Sequence, residues 1–185
     1  GAPAGQERPF LLDMATTTVA SGKLSLARRL GVPIPAGWAV DAQGVPLTEP
    51  PAQRSEAWAQ TPLGNTLEQG GHKGYGLAIM VDILAGVLSG GGFSAQLAGG
   101  ENMTWVMAVD IAAFRPVAEF KAMMDALIQE LHATPPEPGA DRVLVAGDPE
   151  FDTEAERRAR GIPIHTTQYE AIVATARRVG APVSI

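Results

Sequence analysis

Cysteine is absent from these 185 residues. That excludes disulfides, thiolate nucleophiles and cysteine-based metal sites together, and it fits a cytoplasmic protein. No run of Lys and Arg occurs, and the formal charge of −6 argues against non-specific nucleic-acid binding, which needs a clustered positive surface. The start, Gly1-Ala2-Pro3-Ala4-Gly5, has neither a basic nor an apolar region of the kind a secretory signal requires. The longest apolar stretch, 75–88, reaches only about half to two thirds of the ~20 residues a bilayer demands. Asp82 interrupts it, so it reads as a buried soluble helix and no membrane partner is expected. The three histidines, at 72, 132 and 165, have no second ligand at metal-binding spacing. Neither a G-x-S-x-G elbow nor a G-x-G-x-x-G turn after a strand is present.

Apolar residues at 45% are ordinary for a globular chain, and the length suits one domain with a sizeable core. Short apolar runs at 9–12, 104–111 and 142–146 read as strands, the second as a central one. Leu24, Leu26, Ala27 and Leu30 have helical spacing within 16–30, with Gly31 as the stop. Asp41-Ala42-Gln43-Gly44 is a turn signal. The Pro-rich 46–71 stretch reads as a long surface loop with a short helix at 55–60. Apolar residues surround the axis of 74–89, which predicts a helix buried on all sides. Val117, Phe120, Met124, Leu127 and Leu131 form the stripe of an amphipathic helix. His132, near its end, is expected to meet the terminal carbonyls. Glu154/Arg158 and Glu156/Arg160 are favourable i,i+4 pairs in a helix over 152–160 that stops at Gly161. Thr167-Gln168-Tyr169-Glu170 reads as a capping box for a last helix ending at Gly180. Strands mixed with helices make the fold class α/β or α+β; a mixed sheet with packed helices, the α/β case, is expected.

Three segments have chemistry to offer. In Gly70-Gly71-His72-Lys73-Gly74-Tyr75-Gly76, glycines let a backbone approach a ligand, a helix start presents unpaired N–H groups, and Lys73 adds positive charge. An anion such as a pyrophosphate or carboxylate suits it. The spacing is not that of a Walker A loop, and a flexible glycine loop capping a helix is the alternative. Asp13-Met14-Ala15-Thr16-Thr17-Thr18 could accept from ribose hydroxyls and bind ligand oxygens; a capped helix N-terminus is the plainer reading. Gly147-Asp148-Pro149-Glu150 is either a binding turn or merely a strand-to-helix turn. Asp82, alone on an apolar helix, reads as a paired structural acid.

In order along the chain, several blocks resemble one family. They are Phe10-Leu11-Leu12-Asp13-Met14-Ala15-Thr16-Thr17, Val19-Ala20-Ser21-Gly22-Lys23, Ile34-Pro35-Ala36-Gly37-Trp38-Ala39-Val40-Asp41, Gly71-His72-Lys73-Gly74-Tyr75-Gly76-Leu77, and Met80-Val81-Asp82-Ile83-Leu84-Ala85-Gly86. With Gly147-Asp148-Pro149-Glu150 and residues 158–162 they look like the carboxy-terminal portion of the malate/L-lactate dehydrogenase family, which includes ureidoglycolate and sulfolactate enzymes. Ala146 and Ala36 stand where relatives often have a proline and an acid.

The resemblance implies a family-specific, non-Rossmann NAD(P)-binding fold, here without its amino-terminal segment. Residues 1–185 would form the cofactor-binding core plus carboxy-terminal helices of a larger enzyme. It also implies hydride transfer between NAD or NADP and a small 2-hydroxyacid or 2-oxoacid such as malate or L-lactate. The cofactor would be touched by Asp13, Met14, Ala15, Thr16, Thr17, His72, Lys73, Gly147, Asp148, Pro149 and Glu150. Lys23 occupies a position that in some relatives holds an acid beside the catalytic histidine, and that histidine would lie in the missing segment. Expected partners are a homodimer mate or a complementary amino-terminal fragment. The alternative is a non-catalytic remnant that binds a dinucleotide weakly or acts only with such a fragment.

Overall fold

A computed structural model describes residues 1–52, 57–93, 96–97 and 102–182. They form two compact units, one made of residues 1–13 with 111–185 and the other of 14–110. No helix among the described residues is long and apolar enough to cross a membrane.

The 14–110 unit is built around α1 (Ser21–Leu30), which starts five residues later than the sequence predicts because the threonines before it bond elsewhere. The helix ends at Gly31, whose left-handed backbone sends its N–H back to Arg28 O, as the sequence predicts. Leu24 and Ala27 on its inner face pack with Val19, Ile34 and Ala39, and Trp38, Leu47 and Trp58 close over this core. The strands β1 (Ala39–Asp41) and β2 (Trp58–Gln60) pair antiparallel, Val40 opposite Ala59. After β1 the Asp41 carboxylate accepts from the N–H groups of Gln43 (2.9 Å) and Val45 (2.8 Å), so the predicted turn forms. β2 replaces the predicted 55–60 helix over its described part; residues 53–56 lie outside the described set. Thr61 is buried, and its hydroxyl bonds Gly37 O and Thr18 Oγ1.

α2 (Gly71–Val81) runs on through a π-helical turn at Asp82–Val87, marked by Leu88 N–H donating to Ile83 O at 2.8 Å. Here the expectation of burial on all sides is overturned. Ile79, Met80, Val81, Ile83, Val87 and Leu88 are all exposed, Leu88 by 69%. Asp82 is exposed as well and has no ion pair among the described residues. A hydrophobic sequence specifies that a surface should be covered, not that its cover is in the same unit.

The other unit holds a 3₁₀ turn at Ile111–Ala113, α3 (Val117–Ala133), α4 (Asp148–Arg160) and α5 (Thr166–Arg178). Ile128 of α3 and Val145 are its buried apolar residues. The Glu154–Arg158 (2.6 Å) and Glu156–Arg160 (3.6 Å) pairs form, and Gly161 N–H caps Arg157 O. The predicted capping box is corrected: His165, not Thr167, is the N-cap of α5, its Nδ1 accepting from Thr167 N–H at 3.4 Å.

Strand prediction failed most widely. Among the described residues the only sheet is the antiparallel β1–β2 pair, so the expected mixed sheet is not found. Phe10 makes one bridge to Ala2, and Leu11 N–H donates to Ala146 O at 3.0 Å, without a ladder. Residues 104–109 belong to no strand among the described residues, and Val106 is 84% exposed. Apolar β-branched sequence favours extended backbone, but a strand exists only where a second chain segment supplies the ladder.

The amino terminus is held by Asp125 of α3, whose carboxylate accepts from the N–H groups of Gly5 (2.8 Å), Gln6 (3.0 Å) and Glu7 (3.0 Å). The Glu7 and Gln6 amides hold that carboxyl below the usual range. Asp125→Asn is therefore expected to free residues 1–9, read as faster proteolytic clipping there with the remaining protein intact by mass.

Candidate functional site

The Gly70–Gly76 segment becomes the start of α2. Gly70 is the N-cap at φ 87°, Gly71 N–H donates to Thr66 O at 2.7 Å, and Lys73 N–H to Gly70 O at 2.9 Å. Gly71 and Gly74 are buried, and a Cβ on Gly71 would come within 2.9 Å of Asn65 C and Thr66 O. On Gly74 it would meet Leu63 Cα at 2.7 Å and its N and O more closely still. These two glycines admit the protein's own 63–66 loop, which corrects the expectation that they admit a ligand. What remains open to a ligand is His72 and Lys73, both exposed on a first turn that carries no acid.

Thr16 and Thr17 reach the same loop. Leu63 N–H donates to Thr16 O at 3.0 Å, and Thr17 bridges to Pro62. The Thr17 hydroxyl is spent on Val19 O (2.8 Å) and that of Thr18 on Pro62 O (2.7 Å). Met14 and Ala15 are exposed beside them, and Asp13, exposed too, closes the first segment of the other unit. Lys23 stands exposed in the first turn of α1, and its side chain makes no ion pair among the described residues.

Asp148 of the Gly147-Asp148-Pro149-Glu150 turn lines a cleft of the 1–13/111–185 unit, about 350 Å³ in volume, with Gln6, Arg8, His132, Arg142 and Asp152 among its other lining residues. Gly147, at φ 109°, has the backbone that only glycine adopts without strain, and α4 follows with Pro149 in its first turn. Asp148 is 7% exposed. Its Oδ2 accepts from Val145 N–H (2.9 Å) and from His132 Nε2 (2.7 Å). Burial pushes this carboxyl up, but the Val145 amide, the His132 hydrogen bond and the charges of His132 and Arg142 together hold it below the usual range. Asp152 joins Arg8 (2.8 Å) and Arg142, and Arg8 lies over the Phe151 ring at 5.3 Å from its centroid. The Arg8 hydrogen bond is the main reason the Asp152 carboxyl is also lowered. Pro149 and Glu150 are the exposed members of the turn.

Sequence reasoning missed His132, which turns away from the carbonyls of its helix to Asp148. The two are sixteen residues apart on different elements, and no local pattern encodes that meeting. It also missed Arg8 and Arg142. Among the described residues no cluster of His, Cys, Asp or Glu could hold a metal ion.

The malate/L-lactate dehydrogenase family model matches residues 1–173. The malate dehydrogenase of Pyrococcus horikoshii is 40% identical over 181 residues, covering 95% of this chain and 50% of that protein. Hydroxycarboxylate dehydrogenase B of Escherichia coli is 33% identical over 185 residues, covering 97% and 50%. The crystal structure of malate dehydrogenase from Entamoeba histolytica superposes with a TM-score of 0.88 at 25% identity, covering 99% of this chain and 54% of that one. The chain thus spans about half the length of the curated relatives it matches.

Proposed function

This chain belongs to the malate/L-lactate dehydrogenase family, and from that premise we propose that it is the cofactor-holding portion of an NAD(P)-dependent oxidoreductase acting on a small 2-hydroxyacid such as malate or L-lactate. The observation that carries the reading is the start of α2, where the exposed Lys73 and His72 stand on a helix N-terminus free of acids. That donor set fits the pyrophosphate of NAD or NADP, since a helix start and an ammonium group both favour a dianion. The exposed carboxylates of Asp13 and Glu150 fit ribose hydroxyls. Bound NAD(P) supplies the hydride acceptor or donor.

On this reading Lys73 offsets phosphate charge and His72 adds a donor. Met14 and Ala15 offer backbone contacts, Thr16 its hydroxyl and Thr17 a hydroxyl oxygen that can still accept, and the Gly147–Glu150 turn contributes Pro149 and Glu150, with Gly147 and Asp148 setting its shape. The family-specific, non-Rossmann way of holding the dinucleotide belongs to the same proposal. The acid/base histidine is assigned to sequence outside these residues, and Lys23 to a supporting place near it.

The test is titration of the purified protein, with whatever chain accompanies it by intact mass, against NADH and NADPH by nicotinamide fluorescence. One dinucleotide is expected to bind and raise the melting temperature. Lys73→Ala should weaken it about tenfold or more, the scale of a lost hydrogen bond from a charged donor. A flat titration with both dinucleotides overturns the proposal. It would favour the second reading, a non-catalytic module that acts only with a complementary fragment, for which the exposed apolar row on α2 speaks.

A further inference from the structure

We infer that His132 is a positioning residue for the Gly147–Glu150 turn, holding through Asp148 the backbone shape in which that turn meets the dinucleotide. The inference rests on the proposed dinucleotide reading. Its ground is geometric. The turn must pass through Gly147 at φ 109°, and the side chain it buries is the Asp148 carboxylate. That group's Oδ2 takes two donors: Val145 N–H, from the strand of chain entering the turn, and His132 Nε2, from the last turn of α3. Asp148 N–H in turn donates to Val145 O at 2.9 Å. Val145 and Asp148 therefore close a small ring, which Leu11 N–H, donating to Ala146 O, ties to the first segment of the unit and which His132 ties to the end of α3.

Removing the imidazole leaves the ring intact locally but takes away its tie to α3. The residues that follow directly, Pro149 and Glu150, are the exposed ones, so a displacement there is felt by a ligand and hardly by the core. His132 itself lines the cleft with Gln6, Arg8 and Arg142. Neither arginine can replace it, because both are engaged by Asp152. A buried carboxylate deprived of one donor is the situation in which a turn shifts to find another.

The test compares His132→Leu, which cannot donate, with His132→Gln, whose amide nitrogen has nearly the reach of Nε2. Dinucleotide Kd is measured by fluorescence, and hydrogen exchange of the free protein is followed in peptides covering 143–151 and 117–131. His132→Leu is expected to raise Kd about tenfold or more and to speed exchange in 143–151 while 117–131 is unchanged. His132→Gln is expected to recover most of both. Unchanged Kd in His132→Leu overturns the positioning role. So does a loss that Gln fails to rescue and that comes with faster exchange along α3, since that describes general unfolding. If the unsubstituted protein binds neither dinucleotide, the underlying reading has failed and this inference falls with it. Binding with no effect of His132 removes the inference alone.

Discussion

Replacing Gly74 with alanine is expected to destabilise the 14–110 unit by about 3 kcal/mol, at the upper end of the cost of overpacking a filled site. The Cβ would arrive at the backbone of Leu63, 2.7 Å from Cα and nearer to N and O, and backbone cannot rotate aside as a side chain does. The 63–66 loop would have to leave α2, and with it the Leu63–Thr16 and Gly71–Thr66 hydrogen bonds. Gly76 provides the internal control. It lies two residues on in the same helix with nothing within 4 Å of its would-be Cβ. Gly76→Ala should therefore stabilise by about 0.5–1 kcal/mol, the usual helical gain. Urea denaturation of both variants checks this pair, and equal shifts of the same sign would refute the packing account. Gly74→Ala should also weaken dinucleotide binding, because it disturbs the turn that presents His72 and Lys73.

Asp148→Ala is expected to cost about 2–3 kcal/mol, since it strips a buried acceptor from two donors, Val145 N–H and His132. The side chain of His132 is one third exposed (33%), so water recovers part of its loss and the figure stays below that for a fully buried pair. The pH dependence has a definite sign. The Asp148 carboxyl is lowered in the fold, so its contribution is complete above the ordinary carboxylate pKa of about 4. It is lost as pH falls through the lower folded value. The stability difference between the unsubstituted protein and Asp148→Ala should shrink as pH falls below about pH 4. Denaturation midpoints across that range decide it; a gap that persists undiminished at pH 3 would mean that the carboxylate's charge is not what matters. Asp125 and Asp152, lowered too, steepen the acid limb in both proteins and cancel in the comparison.

The family, and the coarse α/β class with it, was legible in the blocks that run from Phe10 to Gly86 and again from Gly147, because each is a local string of residue types. The helices were legible for a related reason. The stripe from Val117 to Leu131, the Glu154/Arg158 pair and the glycines at 31 and 161 act within one turn of their own position. The start of α1 was misplaced, because Thr17 and Thr18 satisfy backbone carbonyls instead of capping a helix.

What depends on a second segment of chain was decided by tertiary structure alone. The runs at 9–12, 104–111 and 142–146, read as strands, form no ladder among the described residues, since pairing needs a partner that apolarity does not name. The α2 face carries core residues on an exposed surface for the same reason. Gly71 and Gly74 looked like ligand-facing glycines, yet they are small because the 63–66 loop lies against them. His132 and Asp148 meet only because the last turn of α3 comes to the first residue of α4. Sequence fixes propensities along the chain over a few residues; which groups are buried, and against what, follows from contacts between positions far apart in it, and the shape of the Gly147–Glu150 turn belongs to that second kind.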